Sequence, residues 1–264
     1  MDLELSGKTA VICGGSRGIG KAIAIELAKE GVSVAIAARD REVLERTAAA
    51  IGQVTGGDPV PYVECDTRDR TSVEAMARTL VDRWGHIDIL VNCAAQPGGL
   101  VFDFGPEADE PLGADLDTKV LGYLRTCQAV APSMRAQGWG RIVNIGGLSG
   151  REGRWLSGMR NTALVHLSRT LSHQLGKDGI TVNTVHPGLT RTERTDEEDA
   201  QRIRSEGITR EAIEKERRGY NDLGRIVDAA EIGWLVAFLC SPKGVAITGE
   251  SISAGGGAGT AVYP

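Results

Sequence analysis

The sequence lacks the features that would place the chain in a membrane or on a nucleic acid. It has no run of about 18 apolar residues, so no segment is predicted to span a bilayer. The formal net charge is −5, which gives no basic field to favour a nucleic-acid partner. The acidic start, Met1 to Glu4, has no apolar signal-peptide core, and we expect a cytoplasmic protein.

Cysteines are few and scattered. The 5 cysteines form no C-x-x-C pair, so neither a metal site nor a disulfide framework is expected. A chain of 264 residues is long enough to bury a large core, and we interpret residues 1–264 as a single domain.

Apolar strand-like runs alternate with helical patterns from one end of the chain to the other. This alternation predicts the α/β class, with a doubly wound sheet of seven parallel strands and helices on both faces. The predicted strands are Thr9–Cys13, Ser33–Ala38, Val60–Cys65, Ile87–Asn92, Arg141–Ile145, Ile180–His186 and Glu250–Ala254. The predicted helices are Gly18–Glu30, Arg41–Ile51, Arg70–Trp84, Asp109–Ala136, Ser157–Gly176 and Asp228–Cys240.

One compositional break runs from residue 190 to residue 221 and is rich in charged side chains. It is predicted to contain one or two short exposed helices. Because it follows the sixth strand, it lies at the carboxyl edge of the sheet, where ligands bind in doubly wound folds. We interpret it either as a substrate lid or as a solvated pair of surface helices.

A glycine-rich turn between the first strand and the first helix predicts a phosphate site. Gly14, Gly18 and Gly20 give the spacing G-x-x-x-G-x-G, with Ser16 and Ile19 in the same turn. Free N–H groups at a helix start carry partial positive charge, and glycines let a pyrophosphate approach the backbone. The alternative is a tight strand–helix turn without a ligand.

Two arginines favour one cofactor over another. Arg39 follows the second strand, where a dinucleotide fold meets the adenosine ribose, and Arg17 lies in the glycine turn. Because guanidinium groups suit a 2′-phosphate, NADP(H) is favoured over NAD(H). Alternatively, Arg39 is an ordinary surface arginine beside a helix-capping Asp40. Asp66, after the third strand, is assigned to the adenine amino group or to capping the helix at Arg70.

The ends of two later strands are predicted to line the same cofactor. Small residues after the fourth strand leave room for a flat ligand against the backbone. A rigid Pro-Gly turn after the sixth strand is followed by two hydroxyls suited to a carboxamide or a phosphate. The residues concerned are Asn92, Ala94, Pro187, Gly188, Thr190 and Thr192.

Seven segments together carry a family resemblance over nearly the whole chain: 13–20, 65–66, 92–95, 141–145, 186–190, 223–225 and 247–250. They resemble the short-chain dehydrogenase/reductase family. The resemblance implies a Rossmann-type domain, a nicotinamide cofactor and a small-molecule substrate. It also implies a homodimer or homotetramer built on the two long central helices.

The catalytic residues that the resemblance implies are all replaced. The family uses an Asn, a Ser and a Tyr-x-x-x-Lys pair, in which the tyrosine moves the proton and the lysine lowers its pKa. Aligned by their neighbours, these positions hold Lys119 for the Asn, Gly146 or Gly147 for the Ser, Ser157 for the Tyr and Asn161 for the Lys. A shifted loop would bring Ser149 in as the serine. The sequence does not support the usual alcohol dehydrogenation mechanism.

The asparagine and the lysine of the family look exchanged in this chain. Asn161 could still bond a ribose hydroxyl, and Tyr123 lies one helical turn after Lys119. Our hypothesis is that Lys119, with or without Tyr123, supplies the proton or polarises a carbonyl. The alternative is that Lys119 pairs with Asp115 or Asp117.

Three functions remain open at this point. The first is an NADP(H)-dependent oxidoreductase acting on a carbonyl or enoyl substrate, because hydride transfer needs little beyond a positioned nicotinamide and a polarised acceptor. The others are a cofactor-binding protein without catalysis and a non-redox lyase or cyclase. Arg160 lies near the expected mouth of the site, where it could hold an anionic substrate.

Overall fold

The strands form one parallel sheet in the part of the chain that the computed structural model describes, residues 1–95, 105–151, 155–156 and 158–260. Its seven described strands lie in the order β3-β2-β1-β4-β5-β6-β9. They are β1 (Thr9–Cys13), β2 (Ser33–Ala38), β3 (Tyr62–Glu64), β4 (Ile89–Asn92), β5 (Gly140–Ile145), β6 (Ile180–Pro187) and β9 (Ser251–Ala254). The predicted doubly wound α/β fold is confirmed.

Helices cover both faces of this sheet. They are α1 (Gly18–Lys29), α2 (Arg41–Thr55), α3 (Arg70–Trp84), α4 (Asp109–Leu116), α5 (Gly122–Gln137), α6 (Gly158–Leu175), α7 (Glu193–Glu206), α8 (Arg210–Arg217) and α9 (Ala229–Cys240). The strand residues alternate between two apolar layers, as the pleat requires. Ile12 packs in the layer with Ile23 of α1 and Val236 of α9, whereas Val11 packs in the layer with Met76 of α3.

Several predicted elements differ from the structure at their ends; the second helix continues to Thr55, and the fourth strand begins at Ile89. The third strand begins at Tyr62 instead of Val60, because the N–H of Val60 donates to the carbonyl of Ala48 on α2 at 3.2 Å. The long helix predicted over Asp109–Ala136 is interrupted by a π-helical turn, Asp117–Leu121, between α4 and α5. Such turns insert one extra residue into a helix and occur often at functional sites.

The charged region from 190 to 221 contains α7 and α8, in the number and place predicted. It is anchored by two short strands, β7 (Thr190–Arg191) and β8 (Val227–Asp228), which pair in parallel. The buried Arg217 of α8 donates to the buried Asp199 of α7 at 2.5 Å. The region is therefore a folded unit, placed where β6 ends.

None of the helices in the described ranges has both the length and the apolarity needed to cross a bilayer. Within the same ranges, no group of His, Cys, Asp and Glu residues is placed to hold a metal ion. The cysteines are free thiols, and four of them are buried: Cys13, Cys65, Cys127 and Cys240.

Candidate cofactor and active site

The glycine turn brings the end of β1, the start of α1 and the segment after β4 into close contact. Gly14 has φ 84°, and a Cβ added there would lie 2.5 Å from the backbone nitrogen of Ala94. A Cβ on Gly20 would overlap the carbonyl oxygen of Gly14. Both positions therefore require glycine, and Ala94 reaches the turn through its backbone, at the edge where a cofactor was predicted.

The N-terminus of α1 already binds an anionic oxygen of this chain. The N–H of Gly18, which has φ 55°, donates to Oε2 of Glu193 at 3.0 Å. Lys21 Nζ lies 3.0 Å from the other carboxylate oxygen. Arg17 provides no side-chain cap, and the first turn of α1 contains no acidic residue. The turn thus has the positive end and the geometry that a dinucleotide phosphate needs, and the residues present fit that group.

The side chains of Arg17 and Arg39 are both exposed, and neither guanidinium makes a hydrogen bond or an ion pair with another described residue. Their guanidinium groups are therefore available to an anion. The predicted cap on the following helix is present, since Asp40 accepts from the N–H of Val43 at 3.0 Å. Asp40 therefore has a structural role as the N-cap of α2, whereas the side chain of Arg39 has no such role among the described residues.

Asp66 lies at the carboxyl end of β3 and pairs with Arg68, with Nη2 and Oδ2 2.6 Å apart. The hydrogen bonds from Arg68 hold the pKa of Asp66 below its usual range, and the charge of nearby Arg39 acts in the same direction. The alternative role as cap of α3 is wrong, because Asp69 caps that helix by accepting from the N–H of Thr71.

Asn92 ends β4 beside Cys13, next to the glycine turn, and its side chain is buried inside the fold. Its amide donates to Oδ1 of Asn144 at 2.9 Å, and its Oδ1 accepts from the hydroxyl of Thr126 at 2.7 Å. Asn144 in turn donates to the hydroxyl of Ser168 at 2.9 Å. This buried chain ties β4, β5, α5 and α6 together. The polar atoms of the Asn92 side chain therefore have partners in the core, and its place beside the cofactor stays a prediction for its backbone.

The segment after β6 borders the glycine turn. Thr192 is the N-cap of α7, and its N–H donates to the hydroxyl of Thr195 at 3.2 Å. Its methyl carbon lies 3.6 Å from the position of a Cβ on Gly18. Thr190 donates to the carbonyl of Gly188 at 3.0 Å. Both threonines have hydrogen-bond partners within the chain, and their contact with a cofactor stays a prediction. Pro187 ends β6 immediately before them.

Lys119 lies in the π-helical turn and faces the end of β5. Its Nζ donates to the carbonyl of Gly146 at 3.0 Å, and the residue is only 4% exposed. Burial, helped by the positive charge of Arg160, lowers the pKa of this lysine from 10.5 to about 7. Lys119 can therefore hold or release a proton near neutral pH, as a general acid must.

The ion pairs proposed for Lys119 do not form in the described structure. Asp117 pairs with Arg125 at 2.8 Å, and Asp115 pairs with the buried Arg160. Arg160 was predicted to be available to an anionic substrate. Its guanidinium is instead buried and paired with Asp115, so that prediction is wrong. The buried pair does place one cation and one carboxylate beside Lys119, and both change its pKa.

Asn161 and Ser149 meet beside the end of β5. The amide of Asn161 donates to the hydroxyl of Ser149 at 2.8 Å. Asn161 is buried, and its Oδ1 has no hydrogen-bond partner among the described residues. A Cβ on Gly147 would lie 3.0 Å from this amide, so Asn161 fills part of the space beside that glycine. Ser157, the third candidate on this side, lies outside the described residues.

Tyr123 does not join Lys119 in an acid–base pair. Its hydroxyl donates to the carbonyl of Ala94 at 3.0 Å, and its ring is fully buried. Burial raises the pKa of this phenol well above its ordinary value, so Tyr123 keeps its proton. Of the two predicted acids, only Lys119 has a pKa near neutral pH.

His186, on β6, contacts the end of β5 beside Lys119's acceptor, a contact that the sequence analysis did not predict. Its Nδ1 lies 3.0 Å from the carbonyl oxygen and 3.1 Å from the nitrogen of Gly147. A Cβ on Gly146 would lie 2.5 Å from Nδ1 of His186, so the imidazole leaves room only for glycine at position 146. Burial lowers the pKa of His186 to about 4, which keeps it neutral. The register of β5 against β6 could have predicted this contact, because the pairing of Ile145 with Val185 places residue 186 beside residue 146.

The comparisons with known proteins agree with this geometry. The family model described as enoyl-(acyl carrier protein) reductase matches residues 14–259. The chain is 34% identical over 251 residues to the short-chain reductase protein NovJ of Streptomyces niveus, covering 94% of this chain and 92% of that protein. It is 33% identical over 262 residues to sorbitol dehydrogenase of Cereibacter sphaeroides, covering 97% and 98%.

A solved structure gives the same picture. L-sorbose reductase from Gluconobacter frateurii, complexed with NADPH and L-sorbose, superposes with a TM-score of 0.91 at 29% identity. The superposition covers 98% of both chains, so the two folds correspond from end to end.

Proposed function

Since the chain belongs to the short-chain dehydrogenase/reductase family, we propose that it is an NADP(H)-dependent oxidoreductase acting on a small carbonyl or enoyl substrate. We propose further that Lys119 replaces the family tyrosine as proton donor. The observation that carries the proposal is the buried ammonium of Lys119, with its pKa lowered to about 7, at the end of β5. A family member without the usual acid needs a proton source at this place.

The residues that would hold the cofactor lie around the start of α1. The glycine turn would take the pyrophosphate at the N–H of Gly18, and Arg17 and Arg39 would take a 2′-phosphate. The L-sorbose reductase with a similar fold was solved with NADPH, whereas a xylitol dehydrogenase with a similar fold was solved with NAD⁺. The choice of NADP(H) therefore rests on Arg17 and Arg39. When bound, the nicotinamide supplies or accepts the hydride.

Lys119 has the chemistry that the other half of the reaction requires. An ammonium has three N–H donors, and one of them is taken by the carbonyl of Gly146. A second can donate to a substrate carbonyl oxygen, which polarises the carbonyl and then protonates the oxygen as negative charge develops there. For an enoyl substrate the same proton would go to the α-carbon. Near pH 7 both forms of Lys119 are populated, so the lysine can give up a proton and take one up again.

The region from 190 to 221 is proposed as the substrate lid. Its first helix begins beside the glycine turn, and the buried Asp199–Arg217 contact keeps α7 and α8 together as one unit. A homodimer or homotetramer, predicted from the family resemblance, remains part of this proposal.

The proposal is tested by a panel of carbonyl and enoyl compounds, followed by loss of NADPH absorbance. Lys119→Met is expected to lower kcat by about 10²- to 10⁴-fold, the usual contribution of a general acid. The matched control is Lys177→Met, on an exposed lysine outside the site, which should retain full turnover. Reduction by the wild type should slow as pH rises through about 7, because Lys119 then loses its proton.

Other outcomes identify the alternatives. Unchanged turnover in Lys119→Met would remove Lys119 from the mechanism. Tight cofactor binding with no turnover on the whole panel would favour a cofactor-binding protein that does not catalyse. Activity that persists without any nicotinamide would favour a lyase or cyclase that uses the same pocket.

A further inference from the structure

Glu193, the first residue of α7, links the proposed lid to the glycine turn. One carboxylate oxygen accepts from the N–H of Gly18 and the other from Lys21 Nζ, each at 3.0 Å. Glu193 and Gly18 are 175 positions apart in the sequence. The contact therefore joins two separate parts of the fold, and it does so on the backbone group that the cofactor's phosphate would need.

The contact is electrostatically favourable. The first turn of α1 has no acidic residue of its own, and Arg17 makes no side-chain cap, so Glu193 is the carboxylate that meets this positive helix end. Partial burial acts to raise the pKa of Glu193. Hydrogen bonds from its own backbone, from Lys21 and from Gly18 outweigh that effect and hold the pKa below its usual range. Glu193 is therefore ionised at neutral pH.

We infer that Glu193 competes with the pyrophosphate of the dinucleotide for the N–H of Gly18. Binding of the cofactor then releases the start of α7 from the glycine turn, and the two events are thermodynamically coupled. The two anions would compete for one N–H donor, and their charges would repel at that distance. The inference rests on the proposed cofactor and makes Glu193 a residue that sets cofactor affinity.

The lid does not need Glu193 in order to stay folded. The hydroxyl of Thr195 donates to the carbonyl of Thr190 at 3.0 Å, and Arg217 binds Asp199 in the interior of the helix pair. Both contacts lie within the region itself. Replacement of Glu193 should therefore remove the link to α1 and leave α7 and α8 intact.

The test is a fluorescence titration of the full-length protein with NADPH and, separately, with NADH. Glu193→Ala should bind both about three- to tenfold more tightly than the wild type, as the loss of a partly exposed carboxylate at a helix end implies. The ratio of the two affinities should stay unchanged, because the pyrophosphate is common to both cofactors. The matched control is Glu197→Ala, which removes the same charge from an exposed position on α7 and should bind like the wild type.

Hydrogen exchange at the amide of Gly18 gives a readout that needs no cofactor. In the cofactor-free protein this amide should exchange faster in Glu193→Ala than in the wild type, because its acceptor is gone.

Saturable binding with equal affinity in the wild type and Glu193→Ala would overturn the inference and leave the proposed function standing. An equal gain in cofactor affinity in Glu193→Ala and Glu197→Ala would also overturn it. The loss of one negative charge anywhere on α7 would then explain the gain. Binding by Glu193→Ala alone would support it in its strongest form. No binding by any variant would overturn the cofactor assignment and the competition together.

Discussion

Replacing Lys119 by methionine should make the protein more stable at neutral pH and below, although it removes the proposed proton donor. The pKa of Lys119 falls from 10.5 to about 7 in the folded protein. This fall corresponds to a penalty of about 5 kcal/mol for the buried protonated form. The variant loses the hydrogen bond to the carbonyl of Gly146, which costs about 1–3 kcal/mol. We therefore expect a net gain of about 2–4 kcal/mol in the free energy of unfolding below pH 7.

The pH dependence of this gain is the decisive part of the prediction. Between about pH 7 and 10.5 the unfolded wild type binds more protons than the folded wild type, so wild-type stability rises with pH. The advantage of Lys119→Met should be complete below about pH 7. It should then shrink by about 1.4 kcal/mol for each further pH unit.

Urea denaturation at about pH 6, 8 and 9, at one fixed protein concentration, measures the difference directly. A variant that is less stable than the wild type by the same amount at every pH would refute the reasoning. Such a result would mean that the folded protein does not bury a protonated lysine at this position.

Two further predictions concern the groups that surround Lys119. Gly146→Ala places a Cβ 2.5 Å from His186 Nδ1 and should cost about 1–3 kcal/mol of stability. Gly147→Ala, whose Cβ meets a side-chain amide at 3.0 Å, should cost less. Asp115→Asn leaves the guanidinium of Arg160 buried without its counter-charge and should cost about 3–5 kcal/mol. The double variant Asp115→Asn/Arg160→Met should recover most of that loss. Urea midpoints measure all four, and equal midpoints for the two glycine variants would contradict the packing argument.

The parts of the fold that follow from local signals were predictable. β1, β2 and α3 begin and end at the predicted residues. Buried apolar runs mark the two strands, and the capping residue Asp69 marks the start of the helix. The π-helical turn at Asp117–Leu121 was not predicted. Apolar periodicity does not distinguish a continuous helix from one that holds an extra residue, and this turn is what carries Lys119.

The site itself was only partly predictable. The family pattern located the replaced positions, including Lys119 and Asn161, but it could not give their partners. The pairing of Asp115 with Arg160 joins residues 45 positions apart, and that of Glu193 with Gly18 joins residues 175 apart. Contacts of this kind depend on how separate helices and strand ends meet, and no local sequence pattern encodes that.

The measurement that tests the central claim most directly is a titration of the wild type with NADPH, followed by nicotinamide fluorescence, with NADH alongside. The account predicts saturable binding of NADPH, at least about tenfold tighter than that of NADH, since charged hydrogen bonds from Arg17 and Arg39 would engage only the 2′-phosphate. Failure of both cofactors to bind would contradict it, because the glycine turn would then serve only the packing of β1 against α1. Equal affinity for the two would contradict the assignment of the arginines.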